Sequence, residues 1–125
     1  MKSLFVFVAL IAAFASLAAP ARKILFIGNS LTYSQNGLYF HLERLTNSAT
    51  PPFVIQADKS VQGGATLKTL WEKAEPRDLI GTGAYDVVIL QEDIPEITVE
   101  AFRQYARNFV GDIRKARSRD RKSVV

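Results

Sequence analysis

The sequence predicts an α/β fold, a parallel sheet in three layers with its helices between the strands. Two observations carry that prediction. Short apolar runs alternate with helical patterns in the order β-α-β-α-β-α, which makes consecutive strands parallel through crossovers. The run Val87-Val88-Ile89-Leu90 has no polar alternation, as expected of a parallel strand covered on both faces. At 125 residues the chain holds one such domain at most.

Residues 1–21 stand apart. A short cationic start, an apolar run from Leu4 to Leu17 broken only by Ser16, and the small residues of Ala19-Pro20-Ala21 form the three-part pattern of a secretory signal. An uncleaved anchor is the alternative, but Pro20 and the Ala-rich end favour cleavage. The expected domain is therefore residues 22–125, secreted or periplasmic, with no stable membrane anchor after cleavage. The chain has no cysteine, so an exported domain here relies on packing without disulfides.

Lys23 to Ile27 reads as the first strand, bounded by Gly28-Asn29. Leu38, Leu42 and Leu45, with Tyr39 beside them, predict a helix that Pro51-Pro52 closes. Phe53-Val54-Ile55 reads as the second strand, followed by polar residues and Gly63-Gly64. Thr66 is placed to cap a helix whose Leu67, Leu70, Trp71 and Ala74 share a face, with Pro76 and Gly81-Thr82-Gly83 as its stop. After the third strand, Thr98 is placed to cap the longest helix, with Phe102, Tyr105, Ala106, Phe109 and Ile113 on one side.

The formal charge of +4 is local. Residues 1–112 carry 10 Lys and Arg against 11 Asp and Glu, whereas residues 113–125 carry 6 against 1. A basic end of this kind is ordinarily a solvated helix terminus. Without interleaved aromatic residues it gives no basis for nucleic-acid binding.

In a parallel sheet, ligands bind beyond the carboxyl ends of the strands. Those ends are Gly28-Asn29-Ser30, the loop from Ser60 to Thr66, and Gln91-Glu92-Asp93. Gly28-Asn29-Ser30-Leu31 is not a G-x-S-x-G elbow, a phosphate loop or a dinucleotide fingerprint. Taken alone, Ser30 is either a nucleophile or the polar residue that ends a strand, and Gly63-Gly64 is either an oxyanion turn or a plain left-handed turn. Glu92, Asp93 and Glu96 read as solvated loop charges, with no metal site among them.

Gly28-Asn29-Ser30-Leu31 behind the first strand resembles the first motif of the SGNH, or GDSL-type, hydrolases, which are serine esterases and lipases on a flavodoxin-like sheet. Gly63-Gly64-Ala65-Thr66 is similar to that family's second motif. The resemblance implies ester hydrolysis without a cofactor, acting on a small-molecule or glycan ester. Ser30 would be the nucleophile, and the N–H groups of Ser30 and Gly64 would be oxyanion donors. Such donors, aimed at the charge that develops in the transition state, are what acyl transfer requires. The family's Gly-x-Asn-Asp is missing after the third strand. Gln91 stands in that position, either as the carboxamide donor or as a polar strand end.

The family's Asp-x-x-His is also missing, and a serine without a base is a poor nucleophile at neutral pH. The one histidine, His41, lies on the helix that leads away from the strand ends and reads as structural. Lys122-Ser123-Val124-Val125 looks like the start of a fourth strand, so the expectation is a family domain truncated after about three βα units, with little or no turnover. The alternative is a non-catalytic binding or interaction module on the same fold.

Overall fold

The computed structural model describes residues 21–94 and 98–122. The expected signal, apart from Ala21, lies outside them, as do Glu96 and residues 123–125. Three strands, β1 (Arg22–Gly28), β2 (Ile55–Val61) and β3 (Val87–Leu90), form one parallel sheet of order β2-β1-β3. The chain is thus α/β with a small, open parallel sheet. β1 is its centre and is buried from Ile24 through Gly28. In the register, Ile27 lies beside Ser60 on one side and Leu90 on the other, so all three carboxyl ends finish at one level.

Alternation along β1 divides the core in two. Leu25 and Ile27 join Leu67, Leu70, Ile80, Phe109 and Ala116 in the larger cluster, which takes in α3 (Leu67–Trp71), α4 (Ala74–Gly81) and α5 (Val99–Lys122). Phe109 is fully buried, with Trp71 edge-on to its ring at 5.0 Å between centroids. Burying such a side chain contributes about 1.5–3 kcal/mol. Ile24, Phe26 and Ile55 form the smaller cluster on the other face, covered by Tyr39 and Leu42 of α2 (Leu38–Asn47).

Several elements differ from expectation, each for a physical reason. β2 begins where the expected strand ends, and Phe53 and Val54 are exposed ahead of it. As an edge strand half open to water, β2 alternates Ile55 and Ala57 with exposed Gln56 and Asp58, a polar pattern that resembles a loop. On α2 the packed pair is Tyr39 and Leu42, while Leu38 and Leu45 are exposed. The helix after Thr66 ends at Trp71, and α4 restarts at Ala74, which is exposed. Pro76 sits buried in the first turn of α4, where its missing N–H costs nothing, so it does not stop the helix. Thr98 Oγ accepts from Ala101 N at 3.2 Å, as a cap should, but Phe102 is 43% exposed. Lys122 is still helical and does not open a strand.

Candidate active site

The first strand-end turn is built around Asn29. It is fully buried and caps the short helix α1 (Ser30–Tyr33), its Oδ1 accepting from Leu31 N at 3.0 Å. Its Nδ2 donates to the carbonyl of Ala65 at 3.1 Å, and its backbone N–H donates to Gln91 Oε1 at 2.9 Å. One residue therefore ties the first loop to both others. Gly28 is required by close approach: a Cβ there would stand 2.7 Å from Gln91 Oε1 and collide with Thr32 Oγ. Ser30 follows as the first residue of α1, half-buried, and among the described residues its hydroxyl has no hydrogen-bond partner. First-turn N–H groups such as that of Ser30 have no acceptor within a helix.

The second loop closes against the first. Gln62 N donates to the carbonyl of Gly28 at 3.1 Å, and Ala65 N turns back to the carbonyl of Gln62 at 3.2 Å. Gly64 has φ +66, with nothing within 4 Å of where a Cβ would stand, so its identity is set by backbone conformation and not by crowding. Thr66 then caps α3 by accepting from Thr69 N at 3.2 Å. The hydroxyl of Tyr33 reaches over this loop, 2.8 Å from the position of a Cβ on Gly63. No local pattern in the sequence marks Tyr33 for this place. It lies one helical turn beyond Ser30, a spacing that puts both side chains on one face of α1.

Gln91 completes the third side. Its Oε1 accepts from Asn29 N and from Thr32 Oγ, each at 2.9 Å, and its Nε2 donates to the carbonyl of Glu92. The orientation of the carboxamide follows from its partner, because a backbone N–H at Asn29 can only donate. Gln91 thus holds the turn that presents Ser30, and one of its two amide hydrogens is already engaged.

Glu92 corrects the expectation of a solvated loop charge. It is half-buried, and its Oε1 accepts from Leu67 N at 2.9 Å and from Asp93 N at 2.8 Å, so it caps the start of α3. Its Oε2 is buried with no hydrogen-bond partner among the described residues. A carboxylate at a helix N-terminus meets unsatisfied donors and the positive end of the helix dipole. Asp93 is half-buried beside it.

His41 stands apart from these loops. It is exposed on α2, and its Nε2 lies 2.7 Å from the carbonyl of Gln35. That nitrogen is therefore the protonated one, since a carbonyl only accepts.

The three predicted loops do converge, and Ser30, Gly64 and Gln91 all belong to the joined assembly. Asn29, Thr32 and Glu92, which join it, were missed as functional positions. A glycine ending a buried strand, followed by a buried polar residue, is the one sequence signal that marks such a junction. Compared with family models, with curated proteins and with solved structures, the chain has no match.

Proposed function

We propose that this chain is a serine ester hydrolase domain of the SGNH type on a flavodoxin-like sheet, acting on small or carbohydrate-linked acyl esters outside the cell. Ser30 attacks the ester carbonyl. The N–H groups of Ser30 and Gly64 receive the oxyanion, with Gln91 contributing its second amide hydrogen. One observation carries this reading: Asn29 binds both other strand-end loops while capping the helix that Ser30 opens. A strand-ending serine with only a structural role needs no such junction.

A serine nucleophile also needs a base to take its proton. The 125 residues contain one histidine, and it bonds to Gln35 on an exposed helix. The expected turnover of a chromogenic acetyl ester is accordingly low. Imidazole added to the solution supplies the missing base, so it raises the rate of the wild-type protein above the uncatalysed background, and Ser30→Ala abolishes that increment. Equal rates for wild type and Ser30→Ala at every imidazole concentration would sink the proposal. Fast hydrolysis without imidazole that is lost in Ser30→Ala would place the base within the chain, and His41→Ala would then test it.

A second reading, a non-catalytic binding module, is favoured by one feature. Gln91 spends its carbonyl and one amide hydrogen on the scaffold. Ligand binding with no Ser30-dependent turnover under imidazole supports it.

A further inference from the structure

An apolar groove of about 510 Å³ opens between the end of β3 and the start of α5, with Leu31 of α1 in its lining. Leu90, Gln91 and Glu92 at the end of β3 line it on one side, and Leu31, Ile94, Val99 and Phe102 enclose the rest. Those last four are 61%, 77%, 58% and 43% exposed, an unusual gathering of large apolar side chains left to water around one depression. Scattered exposed apolar residues need no explanation, whereas a continuous patch marks a binding surface. The volume falls within the roughly 300–1,000 Å³ of small-molecule sites. By contrast, the similar-sized depression between α4 and α5 is lined by Arg77, Asp78, Asp112 and Lys115, with Arg77 and Asp112 paired at 3.6 Å.

Two links bind this groove to Ser30. Leu31, one wall, is the next residue in the chain. Gln91, also in the lining, is the residue whose carbonyl holds the Asn29 turn. We infer that the groove receives the hydrocarbon chain of the acyl group, and that the preferred ester is a medium-chain acyl ester, not an acetate. The inference rests on the reading of Ser30 as nucleophile. Seating the chain against Leu31 and Phe102 brings the carbonyl carbon it carries to the neighbouring serine. It also removes from water the apolar surface that the free protein exposes.

The test reads binding, not turnover, so it stands apart from the imidazole experiment. The full chain is titrated with acetate, butyrate, hexanoate and octanoate below their micelle concentrations, followed by amide shifts in NMR. Affinity rises by up to about fourfold per methylene from butyrate to octanoate. Leu31→Ser and Phe102→Ala, both at exposed positions, keep the fold and lower octanoate affinity about tenfold, leaving acetate unchanged. Equal affinities along the series, or variants that bind octanoate like wild type, overturn the inference. So does a concentration-dependent dimer that octanoate fails to dissociate, which would make the groove an interface between copies. A clear chain-length dependence together with no Ser30-dependent hydrolysis would leave the groove standing and remove the nucleophile.

Discussion

The two faces of the sheet are unequally covered. On one, α3, α4 and α5 enclose Leu25, Ile27 and a fully buried Phe109. On the other, α2 is the one helix among the described residues that covers Ile24, Phe26 and Ile55, and Val87 of β3 is left 45% exposed. The difference shows what each strand is asked to do. β1 needs both faces because it carries the serine turn, and it is protected on both. β3 touches both clusters, Val88 and Leu90 on the thick face and Ile89 on the thin one, but no residue of it is fully buried, and it delivers Gln91 to that same turn. The site is thus anchored on one side by the best-packed strand and on the other by an incompletely covered edge.

The largest effect that would sharpen this contrast lies on the thick face. Phe109→Ala removes a fully buried ring and its contact with Trp71, costing about 3–5 kcal/mol, a large share of the roughly 5–15 kcal/mol that holds a domain together. Leu42→Ala on the thin face removes a partly buried side chain and costs about 1–2 kcal/mol, below the range of a fully buried leucine. Urea titration of both variants decides it, and equal costs would mean that the two faces contribute alike. The next effect is at the edge. Gln91→Leu leaves the Asn29 N–H and the Thr32 hydroxyl without their acceptor and costs about 2 kcal/mol. It also abolishes the imidazole-dependent esterase rate, because the turn that presents Ser30 loses its tie to β3. A variant that keeps full rate would detach the site from that edge.

The smallest effect concerns a polar brace across the thick face, where the Tyr85 hydroxyl donates to Asp58 Oδ2 at 2.7 Å. Partial burial, then the bond to Asp58 and its negative charge, push the Tyr85 phenol up to about 12 from its ordinary 10. The folded state therefore holds this proton more tightly than the unfolded state does. The stabilisation is complete below pH 10 and is lost as pH rises through 10 to 12. Melting curves across that window show a steeper alkaline decline for wild type than for Tyr85→Phe. Parallel declines would show that the brace contributes nothing.

Much of the fold could be read directly from residue pattern. The apolar runs of β1 and β3 announce themselves because parallel strands in contact with the core are continuously apolar. β2 starts later than its apolar run suggests because an edge strand writes its burial on alternate residues only, and Gln56, Asp58 and Lys59 look like loop. Pro76 misled because its effect depends on where a helix begins, which the preceding Trp71-Glu72-Lys73 does not disclose. At the site, strand order alone points to the three loops, whereas Ser30, Gly64 and Gln91 stand out within them only through the resemblance to the SGNH motifs. The bonds from Asn29 to Gln91 and from Leu67 to Glu92 join residues 62 and 25 apart, and no local pattern encodes them.

That 62-residue span has a consequence in time. Contacts between neighbouring residues close short loops, whereas contacts between distant positions wait for the intervening chain to be laid down and closed. Asn29 has no acceptor for its backbone N–H until residue 91 has been synthesised and β3 has docked beside β1. A nascent chain of only the first sixty residues therefore contains the serine but not the geometry around it. The serine turn is the part of the first βα unit that matures last, on a schedule set by the third strand.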